Sequence, residues 1–279
     1  MIVELFGPPG AGKTTFAQAM AARLREHGYA VDLNLSHRPG ESSSRDTLSK
    51  SDRRRRHVLP MISRVALPFG KMLSMVRHPF AVSRDVRAAL TLVRVMPPSD
   101  FLWQLRLTQY LMRLSRTWAQ ATAAGRIVLL DQAYVQAVCS LAMLSGTTDE
   151  TLISRALDRT PKSDLAVLLS APTQVVEMRL RDRERHASRM ERLLELDLTT
   201  SLKSLAIVEC LDAILRKKGM QVVSAASLDQ VSLRESVDRV EAKIVAQVRT
   251  GPSPRYARPD STRSDQAVEA IRPQLVRGR

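Results

Sequence analysis

The stretch that most constrains what this chain can become is Gly7-Pro8-Pro9-Gly10-Ala11-Gly12-Lys13-Thr14, which reads G-x-x-x-x-G-K-T. It follows the apolar run Ile2-Val3-Glu4-Leu5-Phe6 directly, and Thr15 to His27 behind it has helical spacing, with Phe16, Met20 and Leu24 four residues apart. Strand, glycine-rich turn and helix are the context that makes this pattern a P-loop. Glycines let the backbone adopt positive φ and approach a ligand closely. The amides of Gly10 to Thr14 then converge on phosphate oxygens at a helix N-terminus, where the helix dipole favours an anion. Lys13 is expected to reach the β- and γ-phosphates, and the Thr14 hydroxyl to ligate Mg²⁺. Gly7, Gly10, Ala11, Gly12, Lys13, Thr14 and Thr15 are therefore the candidate contacts for ATP.

Composition narrows the class. A chain of 279 residues can bury one sizeable core and still carry a helical insertion and a tail. Two cysteines, Cys139 and Cys210, sit in apolar helical contexts and read as reduced core thiols rather than a redox pair. Glu4 interrupts a very short apolar start that has no basic n-region, so no secretion signal is read there. No apolar run approaches the length of a membrane span, and a cytoplasmic location is expected. The net charge of +15 and pI near 10.7 favour anionic partners: nucleotides, nucleic acid or an anionic membrane surface. Homodimerisation is left open.

Along the chain, Tyr29 to Leu35 alternates as a second strand. A Ser- and Arg-rich run then ends in Arg53-Arg54-Arg55-Arg56, suited to phosphate or membrane-surface contact, or else simply solvated. Residues 58–96 are apolar, basic and broken by Pro60, Pro68 and Pro79. They read as broken amphipathic helices covering an acceptor site, with a membrane-surface helix as the alternative. Pro97-Pro98-Ser99-Asp100 caps a helix from Phe101 to Ala123, whose Trp103 and Trp118 are expected in the core. Ile127 to Leu130 is a buried parallel strand ending at Asp131. Helices follow at Ala133–Leu144 and Asp149–Asp158, then a buried strand at Leu165–Leu169. From Pro172 a helix becomes dense in arginine, a long helix covers Met190–Lys217, a last strand covers Met220–Ser224, and Leu228–Val248 closes the fold. The pattern predicts an α/β fold: one five-stranded parallel sheet with helices on both faces, over residues 1–249, with a helical insertion at about 58–124. Residues 250–279 read as a disordered basic tail, a second candidate contact for nucleic acid or membrane.

Ligands of open parallel sheets bind at the carboxyl ends of the strands. Asp131 belongs there as a Walker B-like carboxylate that holds Mg²⁺ or takes a proton from an acceptor hydroxyl; otherwise it caps the helix starting at Ala133. Asp164 precedes its strand and belongs to the opposite end. Arg183, Arg185 and Arg189, on a segment between two helices, are expected to close over the triphosphate as a lid. Arg179 lies one turn earlier on the same face as Arg183 and is a further candidate contact for ATP. The alternative for all of them is a solvated basic helix paired with Asp182, Glu184 and Glu191.

The order of GPPGAGKTT, LLDQAYVQAV, DLAVLLSAP and RLRDR leading into RERHASR resembles the thymidylate kinase and deoxynucleoside kinase branch of P-loop kinases. That resemblance implies a strand order of 2-3-1-4-5, with Asp131 at the family's acidic position and Arg179 and Arg183 as its helix arginines. It covers about residues 1–36 and 126–248. Gln132 stands where the family has arginine, and the stretch between Gly40 and Asp131 is longer and more basic than in compact nucleotide kinases. The implied function is ATP- and Mg²⁺-dependent phosphotransfer to a nucleotide or another small hydroxyl acceptor. The alternative is a nucleotide-binding regulatory or assembly ATPase that contacts membrane or nucleic acid through its basic segments.

Overall fold

The computed structural model describes residues 1–35, 89–186 and 198–250. The expectations for Arg53–Arg56, residues 58–88, Arg189, the helix start at Met190 and the tail beyond Thr250 lie outside the described residues. In chain order the elements are β1 (Ile2–Phe6), α1 (Lys13–Glu26), β2 (Val31–Asn34), α2 (Phe101–Ala123), β3 (Ile127–Leu130), α3 (Tyr134–Ser145) and α4 (Glu150–Leu157). They continue with β4 (Leu165–Ser170), α5 (Thr173–His186), α6 (Leu198–Lys217), β5 (Val222–Ala226) and α7 (Gln230–Thr250). Residues 89–95 are also helical.

The strands form one five-stranded sheet in the order β2-β3-β1-β4-β5, parallel throughout, with Val3 beside Leu129 on one flank and Leu165 on the other. β1 is central and all its residues are buried, so its run of apolar side chains is dictated by two covered faces. Alternation splits those faces. Val3 and Leu5 pack with Phe16, Met20 and Leu24 of α1 and Val237, Val240 and Ile244 of α7. Ile2 and Phe6 pack with α2, α3, α4 and α6. Within α2, Leu107, Leu111, Leu114 and Trp118 are buried in that second core, each such side chain stabilising the fold by roughly 1.5–3 kcal/mol. Trp118 meets Tyr134 edge to face at 5.2 Å. Trp103 departs from expectation: it is only half-buried and lies under the Arg106 guanidinium at 4.8 Å. Among the described residues no helix is long and apolar enough to cross a membrane.

Three elements start two residues later than the sequence reading, and end motifs of helices explain all three. At the end of α1, Gly28 N–H donates to Arg25 O (2.9 Å) and Tyr29 N–H to Leu24 O (3.0 Å), the paired bonds of a Schellman motif. Tyr29 is thus part of a helix cap, and β2 begins at Val31. The same device ends α6, where Gly219 N–H donates to Arg216 O and Met220 N–H to Leu215 O. β5 therefore runs from Val222 to Ala226 and not from Met220 to Ser224. At α7, Asp229 Oδ1 accepts from Ser232 N–H (2.8 Å) while Ser232 Oγ accepts from Asp229 N–H (3.1 Å). That reciprocal cap sets the helix start at Gln230.

Candidate phosphate-binding site

The loop at Gly7–Thr14 joins the carboxyl end of β1 to the amino end of α1, at the sheet's centre, between β3 and β4. Two of its glycines are required by geometry. Gly7 has φ 149°, and a Cβ there would fall 2.2 Å from Leu169 O. Gly12 has φ 90°, and a Cβ would fall 2.8 Å from Ser227 Oγ. Any side chain at either position would push the loop off β4 or off the segment after β5. The first intrahelical bond of α1 runs from Phe16 N–H to Gly12 O at 2.9 Å, so the amides ahead of it face the helix mouth, where an anion is favoured. No acidic residue occupies the first turn of α1 to compete for that position. Ala11 is buried in the turn, and Thr15 is exposed at the helix start. In shape the loop is a P-loop.

Lys13 is buried, and its Nζ donates to Gly7 O at 2.7 Å and to Pro8 O at 2.9 Å. Its ammonium therefore lies inside the curve of the loop. The Thr14 hydroxyl donates to Asp131 Oδ2 at 3.2 Å. Asp131 is 1% exposed, and its own N–H donates to Asn34 O at 3.3 Å, extending the β2–β3 ladder by one residue. The residue at the N-cap of α3 is Ala133, with no side-chain cap. Asp131 is thus turned toward Thr14 and does not cap α3. Asp164 lies at the opposite end of the sheet, where its Oδ2 accepts from Ile2 N–H at 2.6 Å.

The sequence reading missed the residues that hold these groups in place. Glu4, in the middle of β1, is 1% exposed. Its Oε2 accepts from Val135 N–H at 3.1 Å and its Oε1 from Ser163 Oγ at 2.7 Å. Glu4 therefore supplies from another strand the carboxylate that α3 lacks at its own start, beside the helix's positive end. One residue on, Gln136 Oε1 accepts from Gly7 N–H at 3.1 Å. The first turn of α3 is in this way tied to β1 and to the P-loop, and Asp131 lies just ahead of that turn. A signal was available: a glutamate inside a fully apolar strand has to find donors.

Burial pushes the Glu4 carboxyl above its ordinary value, with the Ser163 hydroxyl and the Val135 and Tyr134 amides pulling it partly back. Because the folded-state pKa is raised, proton uptake favours the native state. That contribution is complete below the unfolded value of about 4.3 and is lost as pH rises through the raised folded value. Wild-type stability relative to Glu4→Gln is therefore expected to fall as pH rises above about 4.3, read by urea unfolding at steps of pH. A difference that stays flat or grows over that range would mean that the carboxylate is held at no cost. Cys139, on α3, is fully buried, and burial raises its thiol to about 12, with the Lys13 charge acting the other way. It is a neutral core thiol, as expected; Cys210 is half-exposed.

The arginines do not share one location. Arg179 Nη1 donates to Gly10 O at 3.0 Å, and its Nη2 to Ser227 O at 2.7 Å and Leu228 O at 3.0 Å. Its guanidinium straps the P-loop to the segment after β5. Arg183 and Arg185 lie within α5, which continues to His186, so the expected break between two helices does not fall at these two positions. Arg185 is exposed, and Arg181 pairs with Glu177 one turn back at 2.6 Å. Gln132 is half-buried next to Asp131.

No known protein family matches the sequence, and no curated protein does. Among solved structures, the chain is similar to deoxyadenosine kinase from M. mycoides, solved with the products dCMP and a flexible dCDP bound. The TM-score is 0.44 at 11% identity, covering 88% of this chain and 100% of that one. At that identity no residue role passes from one chain to the other.

Mg²⁺ keeps several waters and is held by one or two protein oxygens plus substrate phosphates. A threonine hydroxyl and a carboxylate 3.2 Å apart at the mouth of the P-loop fit that requirement. Among the described residues no cluster of three or more His, Cys, Asp or Glu offers an all-protein cage.

Proposed function

We propose that this chain is an ATP-dependent phosphotransferase acting on a nucleotide or another small hydroxyl acceptor. The observation that carries the reading is the Thr14–Asp131 contact of 3.2 Å at the P-loop mouth. It joins a phosphate cradle to a buried carboxylate, on the edge of the sheet where substrates of this architecture bind. The amides from Gly10 to Thr14, with Ala11, Gly12 and Thr15 shaping the turn, seat the phosphates, and Lys13 exchanges its two loop carbonyls for the β- and γ-oxygens. Thr14 and Asp131 hold Mg²⁺, which neutralises phosphate charge when bound. An acceptor oxygen attacks the γ-phosphorus and forms the new bond, an ester on a hydroxyl or an anhydride on a nucleotide's phosphate. The bond to the β–γ bridging oxygen breaks and ADP leaves with that electron pair. The acceptor's proton passes to the Asp131 carboxylate, or to the transferred phosphoryl group where Asp131 serves the metal.

Arg183, Arg185 and Arg189 supply positive charge from α5 and the residues after it. Arg179 acts by holding the loop rather than by meeting phosphate. The resemblance to thymidylate and deoxynucleoside kinases makes nucleosides and their monophosphates the first acceptors to try. ADP release is the test, measured with and without nucleosides, nucleoside monophosphates and sugars. Turnover should rise at least about tenfold with the right acceptor, the scale of one well-used transition-state interaction. Slow turnover indifferent to every acceptor but stimulated by anionic liposomes or DNA would overturn the reading in favour of a regulatory ATPase.

A further inference from the structure

One short piece of chain after β3 holds both ends of the P-loop. Asp131, where it begins, accepts the hydroxyl of Thr14, the last residue of the motif, at 3.2 Å. Gln136, where it ends, accepts the N–H of Gly7, the first residue of the motif, through Oε1 at 3.1 Å. Between the two, Val135 N–H donates to Glu4 Oε2 at 3.1 Å, so the segment is itself pinned to the middle of β1. The span from Gly7 to Thr14 is thus gripped from a single anchored corner, which runs from Asp131 into the first turn of α3.

The need for Gln136 follows from how β1 ends. The register of β1 with β4 runs on to Phe6 beside Leu168, whereas that with β3 ends at Glu4 beside Leu130. Past Glu4 the β3 side of the chain leaves the ladder, and a buried backbone N–H there needs another acceptor. Gln136 is itself buried, and its side-chain oxygen is that acceptor. On the other side Gly7 is pressed against β4, so close that a Cβ would meet Leu169 O at 2.2 Å. The Gly7 carbonyl in turn accepts from Lys13 Nζ at 2.7 Å. Gly7 is therefore the link between Gln136 and the ammonium of the loop.

We infer that Gln136 is a positioning residue for the triphosphate: it fixes Gly7, and through Gly7 the path of the loop amides and the place from which Lys13 reaches the phosphates. When Lys13 exchanges its two carbonyls for phosphate oxygens, Pro8 O keeps the Ala11 N–H at 3.3 Å and Gly7 N–H keeps the Gln136 oxygen. The Gln136 bond then holds the start of the loop without help from the lysine. Its loss is felt more with ATP bound than without it, and so shows in affinity as well as in stability. This rests on the P-loop being the ATP site, as in the reading above, and not on which molecule receives the phosphate.

The experiment is titration calorimetry of the full chain with ATP and Mg²⁺, at a temperature where circular dichroism shows the proteins folded. Gln136→Met keeps the length of the side chain and removes its acceptor, and should weaken ATP binding about 10-fold. Gln136→Asn keeps the amide but draws its oxygen back by one methylene; it carries the same prediction if Gln136→Met does not fold. Asp149→Ala is the control for a purely structural loss. Asp149 caps α4, beyond the far end of α3, by accepting from Thr151 N–H (2.8 Å) and Leu152 N–H (3.4 Å). Its removal should lower Tm by about 2–4 °C and leave ATP affinity as in the wild type. Unchanged ATP affinity without the Gln136 oxygen would overturn the inference, and so would an equal loss in Asp149→Ala. A wild type that binds no ATP would overturn the ATP site itself, and the inference with it.

Discussion

Lys13→Ala should reduce nucleotide turnover by at least about 10²–10³-fold, the cost of removing one preorganised donor from a developing phosphoryl charge. The size of the effect follows from where the ammonium sits. Lys13 is 9% exposed and bonded to Gly7 O and Pro8 O, on the inner curve of the loop that would receive the phosphates. No other side chain of the motif carries positive charge. The variant also leaves those two carbonyls without this donor, a cost of about 1–3 kcal/mol, so a modest drop in Tm should accompany the kinetic loss. Titration calorimetry with ATP separates the two effects: affinity should fall steeply in a protein whose far-ultraviolet circular dichroism is unchanged. ATP binding and turnover within a few-fold of wild type would mean that the triphosphate is bound elsewhere. This variant tests the site; a kinase and a regulatory ATPase would both fail it.

The second large effect belongs to Asp131→Asn, with an expected loss of about 10²–10⁴-fold in kcat. Asparagine can still accept the Thr14 hydroxyl bond through Oδ1, and the Asp131 N–H bond to Asn34 O is indifferent to the side chain. The variant should therefore fold and bind ATP. What it lacks is the charge, and two readings of that charge separate cleanly. If Asp131 holds Mg²⁺, the dependence of ATP affinity on Mg²⁺ weakens in the variant. If it takes the acceptor proton, ATP affinity keeps its Mg²⁺ dependence and the acid limb of the kcat–pH profile disappears. A variant with wild-type kcat would place Asp131 outside the reaction.

Much of this site could be read in the sequence because its signals are local. The P-loop is a contiguous motif whose flanks are visible as an apolar run and a helical period. Asp131 announces itself as a charge at the end of Ile127–Leu130, and Asp100 caps α2 through Leu102 N–H at the residue the Pro-Pro-Ser-Asp signal implies. Strand order followed from the resemblance. The bracing was harder to read. Glu4 meets α3 across 131 positions of sequence, and Gln136 meets Gly7 across 129, so only the oddity of a carboxylate in an apolar strand hinted at either. Arg179 was readable as a charge near the loop, but not as a guanidinium committed to three carbonyls, because those acceptors lie on backbone that carries no sequence signal. The shifted starts of β2 and β5 have one cause. Helix-ending motifs absorbed Tyr29 and Met220, apolar residues that local alternation assigned to strands.

Glu4, Gln136 and Arg179 together say that the P-loop and Asp131 are held as one unit, from β1, α3, α5 and the segment after β5. Such a unit suits chemistry in which positioning and preorganised charge do most of the catalysis. Its most direct test is the fate of the γ-phosphate, followed by phosphorus NMR while the full chain consumes ATP and Mg²⁺ with nucleosides, nucleoside monophosphates and sugars supplied in turn. The account predicts a new phosphate resonance on one acceptor, growing in step with ADP. Inorganic phosphate as the sole product with every acceptor would contradict it.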